Sequence, residues 1–161
     1  MMRCTDCHNS DQAGRGPSLV ASGPHGSIYA PLLIDNYSTQ DFTTESPRAY
    51  ALCYRCHNRQ SILNDESFPL HSRHLTRGRV PCSACHDPHG ISRAQGNSRN
   101  SSFLINFDRS IVRPASGALG ARIEFEDLGP RRGSCTLLCH GVVHVRFEYG
   151  GAGSGIARSA R

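Results

Sequence analysis

The sequence contains no lysine and no tryptophan, and its only methionines are Met1 and Met2. Lysine therefore cannot bind a metal here, and methionine could do so only from a terminus that is expected to be mobile. Hydrophobic residues make up 37% of the 161 residues, the mean hydropathy is −0.43, and 16 glycines and 9 prolines interrupt the chain. Such a chain builds only a modest apolar core, so we expect a metal, disulfides or a large cofactor to stabilise it.

Long apolar runs and a secretory leader are also lacking. No apolar run reaches the length that spans a bilayer, and no basic-then-apolar segment opens the chain. Because a motif already begins at Cys4, we expect that the chain is a processed or truncated product, or that its start has been assigned too late. The formal charge is +5, but the arginines are scattered singly, which does not favour nucleic acid as a partner.

What the sequence does contain is a repeated cysteine motif. Three segments read CxxCH, and a fourth reads CTLLCH, with one more residue between its cysteines; all eight cysteines are used. CxxCH is the attachment signature of c-type haem, in which two thiols form thioethers with the porphyrin and the histidine coordinates iron. Zinc sites would pair one CxxC with another, and disulfides would need no histidine, so the pattern favours four covalent haems. The motifs are Cys4–His8, Cys53–His57, Cys82–His86 and Cys135–His140.

The predicted attachment residues are Cys4, Cys7, Cys53, Cys56, Cys82, Cys85, Cys135 and Cys139, and the predicted proximal ligands are His8, His57, His86 and His140. The fourth motif is interpreted as a genuine site, in which the extra residue lengthens a flexible loop between the two thioethers.

Five histidines lie outside the motifs and are candidates for the sixth ligand of four irons. A low-spin haem takes His or Met in that position, and the two methionines are terminal, so we expect two histidines on every iron. His71 and His74 lie three residues apart, which places them on roughly one face of a helical turn. The remaining candidates are His25 in a tight turn, His89 shortly after the third motif, and His144 after the fourth.

The order of these motifs and of the segments SGPHGS, LLIDNY, LHSRHL, CSACHDPHG and FLINFD resembles that of multihaem c-type cytochromes of the doubled-CxxCH type. The resemblance covers residues 4–144. It implies electron transfer outside the cytoplasm, at the cell surface or beyond it, with the periplasm as the alternative. It also implies that His25, His71, His74 and His89 are the distal ligands. Whether His144 serves an iron of this chain, of a neighbouring subunit or of neither is left open by the sequence. Some tetrahaem cytochromes of this kind polymerise into extracellular filaments.

The predicted fold is mostly irregular, with short helices and a small C-terminal β-hairpin, wrapped around a stack of four covalent c-type haems. Residues 1–149 form the tetrahaem domain and 150–161 a flexible tail. We predict a helix that begins at Ser46 and carries the second motif, a helical turn at 70–76, and a mobile loop at 92–101. Strand character predicts strands at 102–107 and, with clean alternation, at 121–127, joined as a hairpin through 114–120. A further alternating pattern predicts an edge strand at Val142–Tyr149. This edge strand would complete a small local sheet or add to a neighbouring subunit.

Two histidines on each iron leave no position for a substrate, which favours electron transfer over catalysis. The sequence therefore predicts an electron carrier or conduit that is not an enzyme, with redox proteins or extracellular electron acceptors as partners, and with itself where it forms a homopolymer. The alternative is a multihaem reductase of a small oxyanion or metal ion with one open haem site. A high-spin signal from the ferric protein would distinguish the alternative.

Overall fold

The computed structural model describes residues 2–15, 23–91, 102–116 and 120–151. The predicted loop at 92–101 and nearly all of the predicted tail lie outside these residues. Helices within them are short, as the composition predicts. They are α1 (Cys4–Cys7), α2 (Ala51–Tyr54), α3 (Arg59–Leu63), a π-helical turn (Arg73–Arg77) and two 3₁₀ turns (Cys82–Ala84 and Ser102–Leu104).

The helix of the second motif begins later than the predicted start at Ser46, although Ser46 makes the hydrogen bond expected of an N-cap. The backbone N–H of Ala49 donates to the Ser46 hydroxyl oxygen over 3.0 Å. The chain then runs through a turn, and regular helix begins only at Ala51. The predicted helical turn at 70–76 is confirmed by the turn that ends at Arg77.

Three antiparallel strands form the regular part of the C-terminal region, in the order β1 (Glu124–Asp127), β2 (Gly133–Cys139) and β3 (Val142–Tyr149). β3 lies at the edge, as predicted, and is bulged, because two residues of β3 face the single residue Thr136 of β2. Arg146 takes the left-handed conformation there (φ 47°), and its N–H donates to the Thr136 hydroxyl oxygen. Such a bulge disrupts the pairing pattern of an edge strand.

Two sequence predictions about this sheet are wrong. Residues 102–107 are not a strand, because Phe103 and Leu104 both take positive φ (58° and 57°), which no extended strand accommodates. The predicted hairpin therefore does not form, and β1 pairs with β2 instead, with Phe125 opposite Cys135.

The fourth motif does not lie in a flexible loop as predicted. Cys135 and Cys139 both belong to β2, and His140 begins the turn into β3. The extra residue of this motif therefore belongs to a hydrogen-bonded strand.

The apolar core of the described residues surrounds the second motif. Tyr50 is fully buried and packs with Ala49 and Leu75. Cys53 and Cys82, the first cysteines of the second and third motifs, lie against this cluster. The apolar core thus joins two of the repeated motifs.

No helix among the described residues has the length and apolar character needed to cross a membrane.

Candidate functional site

The first three motifs share one backbone geometry. In each motif the backbone N–H of the proximal histidine donates to the carbonyl oxygen of the first cysteine, over 2.7 Å from His8, 3.0 Å from His57 and 2.9 Å from His86. This closes a single helical turn, in which the two cysteines lie three residues apart on one face. Each motif therefore presents two thiols on the same side and the histidine directly after them.

A second segment of chain returns to the first motif. The Asn9 N–H donates to the Leu32 carbonyl over 3.0 Å, and the Ile34 N–H donates to the Cys7 carbonyl over 2.9 Å. Leu33 pairs with His8 as an isolated bridge. We name residues 31–34 the first return segment.

The third motif has the same arrangement with a different segment. The Asp87 N–H donates to the Leu104 carbonyl and the Asn106 N–H to the Cys85 carbonyl, each over 3.0 Å, and Ile105 pairs with His86. Residues 103–106 are therefore the second return segment, and position by position they reproduce the first. Leu32 and Leu104 even share the left-handed backbone conformation, with φ of 63° and 57°.

Each return segment also orients a proximal imidazole. The Nδ1 of His8 lies 3.1 Å from the Pro31 carbonyl oxygen, and the Nδ1 of His86 lies 2.8 Å from the Phe103 carbonyl oxygen. Because a carbonyl only accepts hydrogen bonds, Nδ1 carries the proton in both rings and the lone pair is on Nε2. Histidines that bind metals are usually held in this way.

Both of these proximal histidines face a second imidazole. The ring centres of His8 and His89 are 6.0 Å apart with their planes at 16°, and those of His71 and His86 are 6.3 Å apart at 41°. An imidazole nitrogen lies about 2 Å from a bound metal, so two rings on opposite sides of one iron would have their centres about 6 Å apart. The separation of the rings in both pairs is therefore compatible with two imidazoles on one iron.

The imidazoles of His71 and His86 are neutral at pH 7. Burial lowers the pKa of His71 to about 4, and the neighbouring His86, His74 and His57 act in the same direction. Burial also lowers the pKa of His86, against the opposing effect of its bond to Phe103. A neutral imidazole is the form that binds a metal.

Cysteines of successive motifs lie close enough to change one another's pKa. Burial raises the pKa of Cys7, and the neighbouring Cys56 and Cys53 act in the same direction. A hydrogen bond between the Cys53 and Cys82 thiols raises the pKa of Cys82.

The cysteines of the fourth motif also act on the pKa of a cysteine in the third motif. Burial raises the pKa of Cys85 to about 12, with Cys135 and Cys139 acting in the same direction. Each motif thus borders the next, and Cys7, Cys82 and Cys85 are protonated thiols, the less reactive form of cysteine.

The fourth motif fits a haem less well than the others. Its His140 Nε2 contacts both carboxylate oxygens of Asp41, at 2.8 and 2.9 Å. The Phe42 ring stacks on the imidazole with centres 4.4 Å apart. Nε2 is the lone-pair nitrogen of His8 and His86, whereas in His140 the same atom contacts a carboxylate.

The remaining predicted ligands are not brought into an imidazole pair in the described residues. His74 donates from Nδ1 to the Leu70 carbonyl over 2.8 Å, which leaves its Nε2 as the lone-pair nitrogen. His25 lies in a turn that is attached to the first motif, because Asn9 accepts the Gly23 N–H over 2.6 Å. Burial lowers the pKa of His144, as do the neighbouring His74 and Arg73.

Zinc and disulfides, the two other interpretations of the cysteines, find no support in the described residues. Nowhere in that part of the chain do three or more His, Cys, Asp or Glu side chains form a metal-binding group, whereas a structural zinc site takes four ligands. All eight cysteines are free thiols.

An open pocket of about 310 Å³ lies beside the third motif. His86 of one pair and His89 of the other both line it, together with Tyr37 and Asp87. The pocket belongs to the same site as the imidazole pairs.

Comparisons with protein-family models, with curated proteins and with solved structures find no match to this chain.

Sequence reasoning missed the residues that position the ligands. The carbonyl groups of Pro31 and Phe103 leave no side-chain signal, and Asp41 lies 99 residues from His140. The one available signal was the similarity of the two return segments, which read PLLI and FLIN.

Proposed function

We propose that this chain is an electron-transfer protein that carries covalent c-type haem on its CxxCH motifs. The observation that carries the proposal is the repeated arrangement at the first and third motifs. There a one-turn thiol pair, a proximal imidazole held through Nδ1 and a facing imidazole about 6 Å away occur together.

Cysteines and histidines would hold the haem in different ways. The cysteines of the first three motifs would provide the covalent links, and His8 with His89, and His86 with His71, would hold the iron through their nitrogens. When bound, haem supplies an iron that gains and loses one electron, at a lower potential with two histidines than with methionine. The second motif shares the turn, so Cys53, Cys56 and His57 have the same role. The fourth motif shares the thiols, but Asp41 occupies the nitrogen of His140, and we assign no step to it.

The paired imidazoles also support electron transfer over reduction of a substrate. With two imidazoles bound, each iron would have no coordination position left for a small molecule. The mechanism that remains is passage of electrons between neighbouring sites, and the first three motifs border one another in sequence order.

The test is to count covalent haems. The protein is produced in a bacterium that matures c-type cytochromes, and its intact mass is measured after denaturation. We expect at least three covalent haems, and one fewer in the double variant Cys4→Ala/Cys7→Ala. The matched control is Thr5→Ala, which changes an exposed residue between the same two cysteines and should leave the mass count unchanged.

A protein that is colourless, or whose colour is extracted by acidified acetone, would contradict the proposal. The double variant Cys135→Ala/Cys139→Ala then decides whether the fourth motif carries a haem as well. The cell-surface or extracellular location, the redox partners and the homopolymer remain predictions from the resemblance.

A further inference from the structure

The orientations of His71 and His74 are not fixed by hydrogen bonds alone. The Nδ1 of His74 donates to the Leu70 carbonyl over 2.8 Å. The Nδ1 of His71 is buried and has no hydrogen-bond partner within the described part of the chain. His71 nevertheless faces His86 at 6.3 Å, so another contact must hold its ring.

That contact is with Phe68, three residues earlier. The Phe68 ring lies edge-on to the His71 ring, with centres 5.1 Å apart and planes at 83°. It also contacts the His74 ring, with centres 5.6 Å apart and planes at 37°. These separations are those of aromatic rings in favourable contact, so one phenyl group touches both imidazoles.

Phe68 also contacts the C-terminal sheet. The Tyr149 ring packs edge-on against Phe68, with centres 4.7 Å apart and planes at 83°. Tyr149 in turn lies over Gly133, its partner across β2 and β3, where a Cβ atom would collide with the phenol. A further contact is the hydrogen bond that the Arg131 side chain donates to the Asp65 carbonyl over 3.0 Å.

We propose that Phe68 is a positioning residue that sets the ring planes of His71 and His74 together, and that the sheet fixes Phe68 through Tyr149. The inference rests on the proposed function, because it concerns the orientation of two proposed iron ligands. It adds that the sheet carrying the fourth motif controls ligand orientation at another site.

The experiment compares Phe68→Leu with Phe68→Tyr in the haem-loaded protein. Electron paramagnetic resonance of the ferric form reports the angle between the two axial imidazole planes through the g-values of each low-spin signal. We expect Phe68→Leu to shift or broaden the g-values of the centre that His71 serves, and of the centre that His74 serves where that is a separate one. Phe68→Tyr retains an aromatic ring and should keep the wild-type g-values. The covalent haem count by mass should equal that of the wild type in both variants.

Phe125→Leu is the matched control, because Phe125 is buried in β1 and, among the described residues, its ring makes no contact with an imidazole. A second variant, Tyr149→Leu, removes the ring that packs against Phe68 without changing Phe68 itself, and should shift the same signals. The inference is overturned when Phe68→Leu keeps the wild-type spectrum, or when Phe125→Leu shifts it equally. Absence of covalent haem from every variant, wild type included, would refute the proposed function and this inference with it, and the mass spectrum separates that outcome from the others.

Discussion

Asp35 offers a direct test of how the first two motifs are joined. Its carboxylate is buried, with 6% of the residue exposed, and follows the first return segment. It accepts hydrogen bonds from Arg15 and, over 2.9 Å, from Arg55, which lies between the cysteines of the second motif. We predict that Asp35→Asn, which keeps the shape and removes the charge, destabilises the protein at pH 7.

The magnitude follows from the exposure of the partners. A hydrogen bond to a charged group contributes about 1.5–3 kcal/mol, but the Arg15 and Arg55 side chains are 44% and 40% exposed, and water replaces part of each bond. About 1 kcal/mol for each bond, or about 2 kcal/mol in all, is therefore expected to be lost. For a chain of this size that loss lowers the Tm by about 4–8 °C.

The effect should disappear in acid. Burial alone would raise the pKa of Asp35, but the hydrogen bonds and charges of Arg15 and Arg55 hold it below its ordinary value. A carboxyl group whose folded pKa is lowered stabilises the protein above its unfolded pKa, and this contribution is lost as the pH falls through the folded pKa. The wild type and Asp35→Asn should therefore converge in stability as the pH falls below about 4.

Urea unfolding followed by circular dichroism, at pH 7 and in steps down to acid, measures both effects. The control is Glu124→Gln, because Glu124 and Arg122 form an exposed pair at 3.4 Å that contributes only about 0–1 kcal/mol. Equal unfolding free energies for wild type and Asp35→Asn at pH 7 would refute this account. So would a difference that stays constant into acid.

Two further predictions concern the sheet and the imidazole pairs. Gly133→Ala should destabilise the protein by about 1–3 kcal/mol, because the new Cβ would collide with Tyr149 and lie 2.9 Å from the Glu126 carbonyl oxygen. Thermal unfolding measures the loss beside the control Gly151→Ala, whose added Cβ would meet no atom within 4 Å, and equal melting of the two variants would contradict the prediction. His89→Ala should convert one ferric centre to high spin, because His89 faces His8; an absorption spectrum that stays entirely low-spin would show that His89 is not the partner of His8.

Local features of the fold were predictable from the sequence. The turns of the first three motifs close through bonds between residues four apart, and Ser46 begins the segment of the second motif through a bond to Ala49 three residues on. These hydrogen bonds join residues that are close together in the chain, so the local spacing of residue types is enough to predict them. The edge strand β3 was predictable for the same reason, because its alternation is long.

The return segments show where prediction fails. Pro31 and Phe103 reach their histidines across 23 and 17 residues, through backbone carbonyls that any residue type could supply. The apolar residues of 102–107 suggested a strand, but within this segment only Ile105 forms a bridge, and the left-handed Phe103 and Leu104 turn the chain. Tertiary contacts there override the local pattern.

The anomalous spacing of the fourth motif follows from its place in the fold. In a helical turn, residues three apart lie on the same face, so CxxC presents both thiols together. In a strand, side chains alternate between the two faces, so only an even separation keeps two of them on one face. Cys135 and Cys139 lie four apart in β2, and both act on the pKa of Cys85. The extra residue is thus what a strand requires to present its two thiols to the third motif, and CTLLCH is the strand counterpart of the helical CxxCH turn.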